Sequence, residues 1–117
     1  MNVQHVLGQI ESLSDECGDR DWDGYEADPV SRASMNVTRR LVEGFLADVV
    51  DPDVCALPEG DVCLDWWFEG GDSAILSVHE EGVSYAMHIG EERIRGTERA
   101  PYKQLVRNLL RLTRKHS

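Results

Sequence analysis

At 117 residues, with 41% hydrophobic and 29% charged side chains, the chain has the size and composition of one globular domain, which excludes wholesale disorder. No apolar run approaches the ~18 residues of a membrane span. Met1-Asn2-Val3-Gln4-His5 lacks the cationic start of a signal peptide, so a soluble cytoplasmic protein is expected.

The net charge of −10 is sorted along the chain: the first 92 residues hold 21 Asp/Glu against 4 Lys/Arg, and the last 25 hold 8 Lys/Arg against 1 acid. Such a field repels nucleic acid and attracts cationic protein surfaces. Cys17, Cys55 and Cys63 are odd in number and contain no CxxC pair, so neither zinc spacing nor a disulfide framework is read, and reduced thiols are expected.

Val3, Val6, Leu7, Ile10 and Leu13 form the stripe of an amphipathic helix, predicted to stop near Cys17-Gly18 with glycine as a left-handed cap. A polar loop follows from Asp19 to Val30. Ser31 is a predicted N-cap, with Val30 and Met35 as a hydrophobic staple. Val37, Leu41, Val42, Phe45, Leu46 and Val49 make the buried face of a second helix ending at Asp51-Pro52.

After a loop through Pro58-Glu59-Gly60 the period changes to two. Val62, Leu64, Trp66 and Phe68 alternate with Cys63, Asp65 and Trp67. Ser73 to His79 and Val83 to Ile89 continue the alternation. A turn at Glu81-Gly82 would place Val78 opposite Tyr85, Leu76 opposite Met87 and Ala74 opposite Ile89. Arg93-Ile94-Arg95 adds a short charged edge strand. Pro101 opens a last helix, with Tyr102, Leu105, Val106, Leu109 and Leu112 on one arc and Lys103, Arg107, Arg111 and Arg114 on another. The predicted class is α+β: an antiparallel meander of three or four strands covered on one face by helices, in the order α-α-β-β-β-(β)-α.

Asp19-Arg20-Asp21-Trp22-Asp23-Gly24 begins like an EF-hand loop, but Val30 stands at the twelfth position, where a bidentate Glu is required. A turn capped by its own aspartates is the preferred reading, and no metal or cofactor is assigned. The stretch Asp21-Trp22-Asp23-Gly24-Tyr25-Glu26-Ala27-Asp28-Pro29-Val30-Ser31 resembles a group of short bacterial and phage proteins sharing W-D-G-Y-x-A-x-P-(I/V)-S. That resemblance implies a fold and a mobile-element setting, and no activity. A small residue commonly follows the tyrosine there, where this chain has Glu26.

No Gly-rich phosphate loop, GxSxG elbow or HExxH is present, so no catalytic residues are assigned. His79 facing Ser84 and His88 facing Ile75 would share one sheet face ~13 Å apart, too far for a common metal or proton relay. Trp67 points outward, either covered by another element or serving as an aromatic anchor ringed by Asp65, Glu69 and Asp72.

The expected function is therefore that of an acidic, non-enzymatic interaction protein, an inhibitor occupying a cationic surface that handles nucleic acid. Phage-borne inhibitors, anti-CRISPR proteins among them, often have this size and charge. The expected partner-binding residues are Asp19, Asp21, Trp22, Asp23, Tyr25, Glu26, Asp28, Trp67 and Glu69. The alternatives are direct nucleic-acid binding through the basic last helix, and a homodimer in which acidic body meets basic helix.

Overall fold

The computed structural model describes residues 1–18 and 28–117. It is an α+β fold in which α1 (Val3–Glu16) and α2 (Arg32–Phe45) precede five strands, β1 (Asp53–Ala56), β2 (Val62–Trp67), β3 (Ser73–His79), β4 (Gly82–Ile89) and β5 (Glu92–Glu98), and α3 (Lys103–Lys115) closes the chain. The strands form one antiparallel meander in sequence order, with β1 and β5 at the edges.

Alternation decides what is buried. Val62, Leu64, Trp66, Ala74, Leu76, Val78, Val83, Tyr85, Met87 and Ile89 project from the inner face. They share one core with Val6, Ile10 and Leu13 of α1, Leu41 and Val42 of α2, and Leu105, Leu109 and Leu112 of α3. Ser31 caps α2, its hydroxyl accepting from the Ser34 amide at 3.2 Å.

The structure departs from the sequence reading in six places. First, β1 falls in a stretch read as loop; its four residues carry no alternation and are extended through pairing with β2. Second, β5 runs over seven residues instead of three, and with β1 the meander has five strands. Third, the β3–β4 turn sits at Glu80-Glu81, pairing Val78 with Val83, Leu76 with Tyr85 and Ala74 with Met87. The two registers differ by two residues and present the same side chains inward, so alternation cannot separate them. Gly82 does: a Cβ there would lie 2.7 Å from the Glu98 carbonyl oxygen, so it serves as a strand residue against the chain leaving β5.

Fourth, α2 ends at Phe45, and Leu46 and Val49 stay buried through a turn in which the Val49 amide donates to the Leu46 carbonyl at 3.0 Å. Fifth, α3 begins after Pro101, at Lys103, with Tyr102 at the N-cap in the left-handed region (φ 55°). A Glu98 carboxylate oxygen accepts from the Gln104 amide at 3.0 Å, placing an anion where free helical N–H groups point. Gly18 likewise does not adopt the left-handed cap. Glycine is needed there because any Cβ would run into the Ser14 carbonyl oxygen.

Asp72 fastens α3 to the sheet. It accepts from the Gly90 amide at 2.9 Å, from Lys115 Nζ at 2.8 Å, and lies 2.7 Å from His116 Nε2, while the His116 ring stacks on Phe68. These contacts, led by Lys115 and followed by the Gly90 amide and His116, hold its carboxyl well below the usual carboxylate range.

Candidate functional site

The helices pack on one face of the sheet, and the opposite face carries the outward half of every strand. The register lines these residues up in rows. One row reads Asp53, Asp65, Ile75, Ala86 and Arg95 from edge to edge. A second reads Cys55, Cys63, Ser77, Ser84 and Thr97. A third reads Trp67, Ser73, His88 and Arg93. At ~4.8 Å per strand, an acidic edge at β1–β2 is separated by ~19 Å from a cationic edge at β5.

Trp67 is 68% exposed and Ile75 40% exposed. Together with Ala86, His88, Arg93 and Arg95 they line a depression of about 300 Å³ on this face. Exposure is at odds with the reading in which another element covers Trp67. Its rim differs from the expected one. Asp65 neighbours it on β2 and Glu69 is exposed in the following loop, but Asp72 is buried beneath α3 and is withdrawn from the rim. His88 and Arg93 occupy its row instead, through the pairing of β3 with β4 and of β4 with β5.

Asp19, Asp21, Trp22, Asp23, Tyr25 and Glu26, and with them the calcium-like loop from Asp19 to Gly24, lie outside the described residues. Asp28 is exposed, and its amide donates to the Pro58 carbonyl at 2.7 Å, tying the end of that loop to the β1–β2 connection.

The histidines are farther apart than the expected register implied. His88 pairs with Ser73 and His79 with Gly82, six β3 residues distant, or ~20 Å. His79 Nε2 is 3.0 Å from Ser84 Oγ, which is 3.2 Å from Thr97 Oγ1. A hydrolytic triad needs a third group orienting the imidazole. Among the described residues no hydrogen bond supplies one.

The β1–β2 hairpin makes a grouping that spacing along the chain does not suggest. Cys55 is directly opposite Cys63, and Asp65 follows two residues later on the same face. The donor atoms of all three lie within 4.8 Å of one another. The Cys63 thiol donates to Cys55, which lowers the pKa of Cys55 and raises that of Cys63; burial and the Asp65 carboxylate push both upward. Cys63 is buried, Cys55 exposed, and Asp65 Oδ1 is shut away from solvent without a hydrogen-bond partner among the described residues.

Two cations of α3 are engaged within the fold: Arg111 Nη2 lies 2.9 Å from a Glu92 carboxylate oxygen, and Lys115 holds Asp72. No helix among the described residues is long and apolar enough to cross a membrane. Comparison with protein-family models, curated proteins and solved structures finds no match to the chain.

Proposed function

We propose that this chain is a non-enzymatic interaction protein that docks the sheet face opposite α1, α2 and α3 on a cationic protein surface, of the kind that handles nucleic acid, and inhibits it by occupation. The observation that carries this reading is Trp67, 68% exposed on that face at the end of β2. An uncovered tryptophan beside Ile75, with polar groups around it, has the composition of an interface hot spot. The acidic edge formed by Asp53 and Asp65, with Glu69 beside Trp67, supplies the charge that a basic partner would meet. Such contacts speed encounter and weaken with salt. Direct nucleic-acid binding through α3 draws less support, because Arg111 and Lys115 are already paired with carboxylates and the net charge opposes phosphate.

The test is a pulldown from host extract at low and high salt with the wild type, Trp67→Ala and Glu69→Lys. The reading expects one dominant protein whose recovery falls with salt and with either substitution. Equal recovery by all three chains, or recovery indifferent to salt, refutes it.

A further inference from the structure

Cys55, Cys63 and Asp65 combine three features that separate them from an ordinary surface cluster. Their donor atoms converge within 4.8 Å from two hydrogen-bonded strands, so the backbone holds them together. One carboxylate oxygen is buried without a partner among the described residues, an arrangement that costs stability unless something positive meets it. Among the described residues, the charged side chains acting on the two thiols, Asp53, Asp65 and Glu59, are anionic. Two sulfur donors, one oxygen donor and surplus negative potential define a thiophilic cation site.

We propose that Cys55, Cys63 and Asp65 bind one thiophilic divalent cation, zinc in the cell, with the fourth position open to water. Donors around a tetrahedral ion at Zn–S ≈ 2.3 Å and Zn–O ≈ 2.0–2.2 Å stand about 3.6–3.8 Å apart, within reach of small side-chain rotations from the present spacing. Both cysteines bind as thiolates, so the protons they carry pass to solvent when the ion enters. The ion would cross-link edge strand β1 to β2, and β1 is the shortest strand of the sheet.

The experiment is an anaerobic titration of the reduced, chelator-stripped chain with Co²⁺, which reports thiolate ligation by a charge-transfer absorption. The expected result is a band that saturates at one ion per chain, is bleached by Zn²⁺, and is lost in Cys55→Ser. Cys55 is exposed, so that variant keeps the fold, which circular dichroism checks. Cys17→Ser keeps the band, and Asp65→Asn moves the midpoint to higher cobalt. Zinc at a hundredfold excess over Kd should raise the wild-type Tm by roughly 5–10 °C and leave Cys55→Ser unmoved. Absence of the band, its persistence in Cys55→Ser, or a Cys55–Cys63 disulfide that resists thiol reductant and excludes cobalt would overturn the proposal.

Discussion

Trp66 and Trp67 are adjacent and chemically identical, yet alanine at the two positions should have very different costs. Trp66 is 2% exposed in the core, and its Nε1 donates to the Val50 carbonyl at 2.7 Å. Truncating a buried aromatic to alanine costs about 3–5 kcal/mol, and the lost hydrogen bond adds about 1 kcal/mol. The expected loss of about 4–6 kcal/mol is comparable to the whole stability of many small domains. At position 67 only a third of the side chain is covered. From an aromatic's roughly 150–250 Å² this is about 50–80 Å², or about 1–2 kcal/mol at ~25 cal/mol/Å². That figure is an upper estimate, because the unfolded chain already hides part of the same surface. Urea unfolding followed by far-ultraviolet circular dichroism should separate the two midpoints by about 1 M or more. If Trp66→Ala does not fold, Trp66→Phe should still lose measurable stability while Trp67→Phe does not. Equal losses at the two positions would refute the face assignment and, with it, the docking surface.

Three further outcomes are expected. Gly18→Ala forces a Cβ against the Ser14 carbonyl oxygen and should lower stability by about 1–3 kcal/mol, whereas Gly8→Ala meets nothing within 4 Å and should raise it by about 0.5–1 kcal/mol; thermal melts read both. Tyr85 is pushed up to about 12, by burial first and then by its hydrogen bond to Glu98. Its contribution to stability is therefore complete below the unfolded tyrosine value of ~10 and is lost as pH rises toward 12, so alkaline unfolding should be delayed to higher pH in Tyr85→Phe if the swap preserves packing. Asp72 is shifted the opposite way: its contribution is present above the unfolded carboxylate value of ~3.9 and is lost as pH falls below it. Asp72→Asn should flatten the acid limb of the stability profile and release the C-terminal turn of α3, seen as faster amide exchange near His116.

Chain periodicity was enough to set the class of fold, the two N-terminal helices and the inward set from Val62 to Ile89, because side-chain period follows from backbone geometry alone. It also placed Trp67 on the outward face. Whether that face was covered depended on where three helices packed, a tertiary outcome that no local pattern contains. Turn position escaped for a related reason: a two-residue slip leaves the inward set unchanged, and only the approach of Glu98 to Gly82 breaks the tie.

The acidic loop from Asp19 to Glu26, prominent in the sequence, lies outside the described residues, so Trp67 and its neighbours carry the functional reading. Cys55 and Cys63, eight residues apart, match no local metal spacing. Antiparallel pairing makes them direct neighbours because a hairpin converts distance along the chain into opposition across it. Sequence alone determined which residues face which way; only the assembled sheet decided which of them meet.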